Sequence, residues 1–312
     1  MVYKKKITVK SFCQLFRCSQ FDLPDGFQKK LESINTNYKS ATKLDGEQYV
    51  LQILKKINSP FIRRSKEENI AAWEKGWAEN LAAFQNDSAE DHLKPRYFHQ
   101  SRFFRYNKRI IIPENPNIEY DLFTVVRYFL FKKYFKNYNS IYELGCGSCQ
   151  NILMLSGLFP EKNYVGLDWS NASKKIADVI ASKKNVRVTG YVFDMLNPTN
   201  DLNDLNIDNN SLVFSIHALE QLGRNYSKLI SFLINKKPAL VIHYEPIVEF
   251  YDKKNVYDYL AVMYSEKRNY LSGYLETLRN FEKKGKVEII EAYRPYIGGI
   301  YHEASLVVWR PV

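Results

Sequence analysis

The sequence predicts an α/β protein built on a mostly parallel sheet. Between residues 141 and 242, short apolar runs alternate with segments of helical periodicity, which is typical of a parallel sheet covered by helices. Two later runs, residues 286–293 and 304–309, are joined by a segment too short for a helical crossover. We therefore expect a mixed sheet of seven strands that ends in an antiparallel hairpin.

The composition is that of a globular protein. The 312 residues can bury a full core, and 45% apolar with 25% charged residues are ordinary proportions. No stretch approaches the roughly 18 apolar residues of a membrane helix, and no apolar segment follows the basic N-terminus. Four cysteines are too few for a disulfide scaffold, so we expect a reduced, cytoplasmic setting.

The first third of the chain is basic. Residues 1–114 hold 21 Lys and Arg against 13 Asp and Glu, so most of the net charge of +11 lies there. Such an excess favours an anionic partner. We divide the chain into a helical, basic extension or cover at residues 1–115 and an α/β domain at residues 116–312.

Helical patterns dominate this extension. We expect helices at residues 27–44 and 46–57, separated by an Asp-Gly pair, and a third after Ser65, where Glu68 completes a capping box. The third helix carries Trp73 and Trp77 on one face. Packing in the core is the simplest interpretation of this pair, and a substrate-facing aromatic wall is the alternative.

Residues 94–109 interleave six basic residues with aromatic ones and contain no acid. Such a segment can hold a phosphate or carboxylate of a small ligand, and we choose Arg102, Arg105 and Tyr106 as its contacts. A solvated loop is nearly as good an interpretation. Binding of single-stranded nucleic acid is possible but less favoured, because no recognised RNA-binding motif accompanies the segment.

A glycine loop at residues 141–151 organises the α/β part. Gly145 and Gly147 follow an apolar run and precede a helix, so backbone N–H groups are open to a ligand. The dinucleotide fingerprint fails, since Gln150 stands where its third glycine would be. Glu143 would repel a pyrophosphate but suits a ligand that carries an ammonium and a sulfonium.

Acid or imidazole side chains stand at five consecutive strand ends. Ligands bind beyond the carboxyl ends of parallel strands, so these side chains are candidates for a binding site. They are Glu143, Asp168, Asp194, His217, His243 and Glu245.

With these residues the sequence resembles the Rossmann-like (class I) S-adenosylmethionine-dependent methyltransferases. Their motif acid-x-Gly-x-Gly-x-Gly appears at residues 143–149, with Cys149 in place of the third glycine. The resemblance covers roughly residues 118–312. It implies a Rossmann-like sheet, S-adenosylmethionine as cofactor and S-adenosylhomocysteine as product.

The resemblance also assigns roles to residues. Asp168 would hold the ribose hydroxyls, whereas Asp194 and Met195 would hold the adenine edge. The glycine loop would lie against the homocysteine moiety, and Ser215 would line the methyl-donor face. The predicted cofactor site comprises Glu143, Gly145, Cys146, Gly147, Asp168, Trp169, Asp194, Met195 and Ser215.

Catalysis of methyl transfer to a hydroxyl or an amine calls for a base. His217 is the first choice, because it stands at the strand end nearest the expected methyl group, and Glu220 is three residues further on. His243, beside Glu245, and His302 are rivals. No metal site is predicted, although a metal bound by His217, His243 and a carboxylate is a lesser alternative.

The tyrosine-rich stretch at residues 251–274 lies where acceptor pockets are often built in this fold, and Tyr264 and Arg268 are its candidate substrate contacts. A packed surface helix is the alternative. We expect a methyltransferase acting on a small or sugar-like, anionic acceptor such as a glycan precursor, with oxygen favoured as the acceptor atom. The other hypotheses are an RNA or protein methyltransferase that docks through the basic third, and a non-catalytic S-adenosylmethionine-binding module.

Overall fold

The computed structural model describes residues 5–62, 69–95, 98, 100–198 and 205–312. The predicted capping box at Ser65 and Glu68 lies outside these residues, as do three positions of the basic-aromatic segment. The strands are β1 (Lys5–Lys6), β2 (Asn37–Ser40), β3 (Phe104–Tyr106), β4 (Arg109–Pro113), β5 (Ser140–Leu144), β6 (Asn163–Asp168), β7 (Val188–Val192), β8 (Ser211–Ile216), β9 (Leu240–Glu245), β10 (Val287–Tyr293), β11 (Ile297–Gly298) and β12 (Ser305–Pro311).

The α-helices of the α/β part alternate with its strands, as the helical periodicity there predicts. They are α1 (Val9–Leu15), α2 (Phe27–Glu32), α3 (Lys43–Ile57), α4 (Ile70–Asp87), α5 (Ile118–Tyr134), α6 (Gln150–Leu158), α7 (Asn171–Lys184), α8 (Ser227–Lys236), α9 (Val256–Arg268) and α10 (Tyr274–Lys283). None of the helices in the described part is both long and apolar enough to cross a membrane.

The main sheet has the order β10-β12-β9-β8-β5-β6-β7. Its five strands from β9 to β7 are parallel, and β12 is antiparallel to both β9 and β10. This mixed seven-stranded sheet with its terminal hairpin confirms the predicted Rossmann-like fold.

Helices cover both faces of the sheet. Neighbouring residues of a strand point to opposite sides, so each strand contributes to two cores. In β5, Ile141 belongs to the core shared with α5 and α6, whereas Tyr142 belongs to the core shared with α8 and α10. Leu144 pairs with Leu167 of β6 and with Ser215 of β8. The ends of these three strands therefore meet at one edge of the sheet.

The N-terminal part is less helical than predicted. The helix expected at residues 27–44 is wrong, since α2 ends at Glu32 and β2 follows. The expected break at Asp45 is wrong too. Its carboxylate accepts a hydrogen bond of 2.9 Å from the N–H of Thr42, and the Thr42 hydroxyl accepts one from the Asp45 N–H. This capping box places Asp45 in the first turn of α3.

A second, antiparallel sheet joins the two parts of the chain in the order β1-β2-β4-β3-β11. Its last strand comes from the connection between β10 and β12, where Ile297 pairs with Tyr106 of β3. The Tyr49 hydroxyl also donates a hydrogen bond of 2.7 Å to the carbonyl of Ile300. The division at residue 115 stays a prediction, and this strand pairing crosses it.

Candidate functional site

The glycine loop has the backbone that its sequence predicts. Gly145 and Gly147 have φ of +69° and +51°, a region that suits glycine. A Cβ at Gly145 would collide with Ala218, and one at Gly147 would lie 2.6 Å from the Trp77 ring. Cys149, at the third position of the motif, has φ of +57°. The loop thus keeps a glycine-like backbone at Cys149 without a glycine.

A cleft lies over this loop. Seven of the residues predicted to bind the cofactor line it: Glu143, Gly145, Cys146, Gly147, Asp168, Trp169 and Met195. Two others are placed elsewhere. Ser215 is fully buried beneath the cleft, and Asp194 is exposed, with its carboxylate accepting a hydrogen bond of 2.8 Å from the N–H of Leu196.

Glu143 places a buried carboxylate at the wall of the cleft. Its Oε1 accepts a hydrogen bond of 2.6 Å from Asn151 Nδ2, while Oε2 is buried and has no hydrogen-bond partner among the residues that the structure describes. Burial raises the pKa of Glu143 to about 8, against the opposing effects of Asn151 and Arg127. Such an oxygen is suited to a cationic group of a ligand.

Asp168 is held by two backbone groups. Its Oδ2 accepts a hydrogen bond of 2.8 Å from the N–H of Gly147, and its Oδ1 accepts one of 2.8 Å from the N–H of Ser170. Burial raises the pKa of Asp168 to about 6, although both hydrogen bonds oppose this shift. Each oxygen keeps a lone pair, so the carboxylate can still accept from two hydroxyl groups.

The N-terminal part of the chain covers the cleft. The rings of Trp73 and Trp77 are stacked with centroids 5.6 Å apart, and both line the cleft. They also pack with the hydrophobic core, which agrees with the simplest interpretation of this pair, and a substrate-facing wall stays a prediction. The Ser148 hydroxyl donates a hydrogen bond of 2.6 Å to the carbonyl of Leu93, which ties the glycine loop to the cover.

A second cavity adjoins the cleft, and we call it the acceptor cavity. His217 and Trp73 line both spaces, so the two are neighbours there. The side chains that line it combine charges, amides and aromatic rings. They include Gln52, Lys56, Gln100, Glu119, Glu220, Tyr264, Arg268, Tyr270, Tyr301 and His302.

His217 occupies a strained position at the junction of the two spaces. Its φ is +54°, which is uncommon for a residue with a side chain. Its Nδ1 lies 3.5 Å from Oε2 of Glu220. Burial lowers the pKa of His217, but the neighbouring carboxylates of Glu220, Glu245 and Glu119 outweigh burial, so the net shift is upward.

His243 and Glu245 lie away from both spaces, which corrects their prediction as catalytic residues. His243 is fully buried, and burial lowers its pKa to about 3. Its Nδ1 is 2.8 Å from the hydroxyl oxygen of Ser215, and this hydroxyl donates its proton to Oε1 of Glu245.

Glu245 instead supports the turn that follows β8. Its Oε1 accepts hydrogen bonds of 3.0 and 3.1 Å from the N–H groups of Ala218 and Leu219. Burial raises its pKa to about 7. This carboxylate therefore holds the segment that carries His217 and Glu220.

Three of the predicted substrate contacts also lie elsewhere. Arg105 is 2% exposed and pairs with Asp258 at 2.8 Å and with Glu303 at 3.2 Å. These buried carboxylates neutralise its charge, so it does not serve a ligand. Arg102 is more than half exposed and pairs with Asp45, which is largely buried. Tyr106 is buried in β3. Tyr264 and Arg268, in contrast, line the acceptor cavity.

Sequence reasoning missed Glu119. It lies in the first turn of α5, where an acid usually needs no explanation beyond the helix dipole. Here the side chain turns inward to the acceptor cavity, and burial raises its pKa to about 7. No local sequence signal distinguishes it. No group of three or more potential metal ligands occurs within the described ranges.

No family model matches the sequence, and no curated protein matches it. A plantazolicin methyltransferase in complex with SAH is 13% identical over 78% of this chain and 98% of its own, with a TM-score of 0.43. Geranyl diphosphate C-methyltransferase from Streptomyces coelicolor A3(2) is 12% identical over 76% and 98%, with a TM-score of 0.44. The O-methyltransferase of a trans-AT PKS multienzyme from Brevibacillus brevis is 12% identical over 60% and 71%, with a TM-score of 0.43.

Proposed function

We propose that this protein is an S-adenosylmethionine-dependent methyltransferase that binds its cofactor in the cleft over the glycine loop. The observation that carries the proposal is the unpaired Oε2 of Glu143, on the same cleft as the carboxylate of Asp168. A ligand with an ammonium at one end and a ribose diol at the other satisfies both. The cofactor would supply an electrophilic methyl group when bound.

Binding of S-adenosylhomocysteine tests this proposal directly. Calorimetry should show one saturable site in the wild type and a loss of at least about tenfold in affinity for Asp168→Asn, which removes charge from a carboxylate that accepts ligand hydroxyls. Asp178→Asn is a matched control, because this side chain is exposed on α7. Absence of binding by the wild type would reject the cofactor.

His217 is the proposed general base. It lies where the cleft meets the acceptor cavity, so it can reach a nucleophile that faces the methyl group. Glu220 is 3.5 Å away and balances the positive charge that His217 gains with the proton. Glu220 stays ionised for this role, since His217, His302 and Arg268 outweigh burial and lower its pKa.

A small acceptor with an acidic group fits the acceptor cavity. The cation expected from the basic-aromatic segment is supplied instead by Lys56 and Arg268, and the Nε of Arg268 has no hydrogen-bond partner in the described part of the chain. A glycan precursor remains within this class. Binding of RNA with a steep salt dependence would favour the macromolecular acceptor over this proposal.

A further inference from the structure

Two buried hydrogen-bonding atoms without partners lie near His217 in the acceptor cavity. They are Nδ1 of His302 and Oε2 of Glu220, and neither makes a hydrogen bond within the described ranges, although Oε2 of Glu220 lies 3.5 Å from Nδ1 of His217. The Glu220 side chain is 9% exposed and its residue 7% exposed. The centroids of the His217 and His302 rings are 5.9 Å apart. Both residues line the acceptor cavity, so a ligand bound there can satisfy these two atoms.

Glu119 adds a third acceptor on another wall of the cavity. Its carboxylate packs against the backbone of Gly299, where any Cβ would collide with it. Both residues line the acceptor cavity. The chain therefore leaves room at Gly299 for an inward-turned carboxylate, although an acid in the first turn of a helix could as well extend into solvent.

The protonation states of these groups make all three acceptors. Glu220 is ionised, because its neighbours lower its pKa despite burial. Burial lowers the pKa of His302 to about 4, so the ring is neutral and its Nδ1 can accept a hydrogen bond. Glu119, with a pKa raised by burial to about 7, becomes an acceptor once a cation lies beside it.

The number of donors separates the candidate acceptors. A hydroxyl group has one O–H donor to offer, whereas a primary ammonium has three N–H donors and no acceptor. We propose that the methyl acceptor is an amine, which enters as an ammonium held by Glu119, Glu220 and His302 next to His217. This inference rests on the proposed function and replaces the oxygen acceptor that the sequence favoured.

The aromatic wall fits the same ligand. Tyr264 and Tyr301 stack with centroids 4.5 Å apart, and Tyr270 completes the wall. Faces of such rings attract cations. Arg268 already lies 4.9 Å from the centre of the Tyr270 ring. With Lys56 and Arg268 for an acidic group, the acceptor is an amphoteric small molecule with an amine and an anionic substituent.

The reaction balances with one proton released. The ammonium gives a proton to His217, and the freed lone pair on nitrogen bonds to the methyl carbon. The carbon–sulfur bond breaks with its electron pair going to sulfur, which leaves neutral S-adenosylhomocysteine. The product is an N-methylammonium, so the positive charge stays on the nitrogen between the two carboxylates, and His217 passes its proton to solvent.

Sinefungin provides a probe that needs no knowledge of the acceptor. This cofactor analogue carries an ammonium where S-adenosylmethionine carries its methyl group, so the ammonium faces the acceptor cavity. Calorimetry should show that sinefungin binds at least about tenfold more tightly than S-adenosylhomocysteine, the size of one charge-assisted hydrogen bond. In Glu220→Gln and Glu119→Gln the advantage should shrink, and in the double variant it should disappear.

Glu266→Gln is the matched control, since Glu266 is exposed on α9, and it should keep the advantage. If S-adenosylhomocysteine binds but sinefungin binds no better, or if the double variant keeps the preference, the amine acceptor is rejected while the proposed function stands. If neither ligand binds to the folded protein, both proposals fall.

A second measurement tests the acceptor atom itself. A cellular small-molecule extract is divided, and one half is treated with an amine-selective acetylating ester before incubation with the protein and labelled S-adenosylmethionine. Label should pass into small molecules of the untreated half only. Equal labelling of both halves would overturn the amine, whereas no labelling of either half would count against methyl transfer.

Discussion

The carboxylate of Glu74 accepts a hydrogen bond of 2.7 Å from the hydroxyl of Ser170. The same carboxylate lies 3.2 Å from the N–H of Ala172, so an acid from α4 caps the first turn of α7. Ser170 in turn donates its N–H to Asp168. The N-terminal cover of the cleft is therefore hydrogen-bonded to the loop that carries Asp168, the residue proposed to bind the ribose.

We predict that Glu74→Ala lowers the free energy of unfolding by about 1–2 kcal/mol, because a helix start loses its acidic cap. Urea denaturation measures the change. Lys75→Ala, at an exposed neighbouring position of the same helix, should change it by less than about 0.5 kcal/mol. Equal effects of the two substitutions would show that the contact does not fasten the cover.

The glycine loop gives a prediction with an internal control. Gly147→Ala combines a positive φ with a Cβ only 2.6 Å from the Trp77 ring, so it should lower the free energy of unfolding by about 1–2 kcal/mol and weaken S-adenosylhomocysteine binding. A Cβ on Gly157, in α6, would meet no atom within 4 Å beyond its own helix. Gly157→Ala should stabilise by up to about 1 kcal/mol, as expected in a helix. Thermal unfolding and calorimetry compare the two.

The buried acids predict that the ligand-free protein loses stability as the pH rises from 6.5 to 8. The pKa of Glu143 is about 8 in the folded state against an ordinary value of 4.5, so the folded state binds more protons over this range. The raised pKa of His217 acts in the same direction. His243 and His302, whose pKa values are lowered to about 3 and 4, oppose it only below about pH 6.5.

The expected loss of unfolding free energy between these two pH values is on the order of 2 kcal/mol. Denaturant titrations at pH 6.5 and pH 8 measure it. Glu143→Gln should flatten the dependence, because its amide does not titrate. A stability that rises over this interval would contradict the assignment of a protonated Glu143.

Substitution of His217 should separate chemistry from cofactor binding. Asparagine tolerates a positive φ better than most residues, so His217→Asn keeps the backbone while it removes the base. We expect turnover of the acceptor to fall about 10²–10⁴-fold, with S-adenosylhomocysteine affinity within about threefold of the wild type. His92→Asn, at a partly exposed position beside Asp87, serves as the control. Unchanged turnover in His217→Asn would require another base.

Arg105 and Arg102 should differ sharply in their contribution to stability. Arg105→Met leaves Asp258 and Glu303 as buried acids with one fewer partner, so it should cost about 3–5 kcal/mol. Arg102→Ala removes an ion pair of an exposed side chain and should cost less than about 1 kcal/mol. Urea denaturation measures the loss of unfolding free energy in both variants. Similar losses would mean that the buried ion pairs of Arg105 contribute no more to stability than the ion pair of Arg102.

The sheet and the cleft could be predicted because their signals are local. The apolar runs that form β5, β6 and β8 each lie within a few residues, and the glycine loop carries its own backbone requirement at Gly145 and Gly147. Parallel strands then bring their carboxyl ends together by geometry alone. This is why the sequence suffices to predict that Glu143, Asp168 and His217 lie near one another.

The acceptor cavity could be predicted only in part: Tyr264 and Arg268 line it as expected, whereas other contacts depend on partners far along the chain. The residues around Arg105 are of the types that contact an anionic ligand. In the structure, however, Arg105 donates hydrogen bonds to Asp258 and Glu303, which lie more than 150 positions further along the chain. Glu119 faces the cavity because Gly299 gives it room. Residue types alone do not tell a paired arginine from a free one, or an inward acid from an outward one.

The pairing of β11 with β3 has a consequence for synthesis on the ribosome. Tyr106 leaves the ribosome long before its partner Ile297 is made, and until then β3 has an open edge. The N-terminal sheet can therefore begin to form during translation but is closed only when nearly the whole chain has emerged.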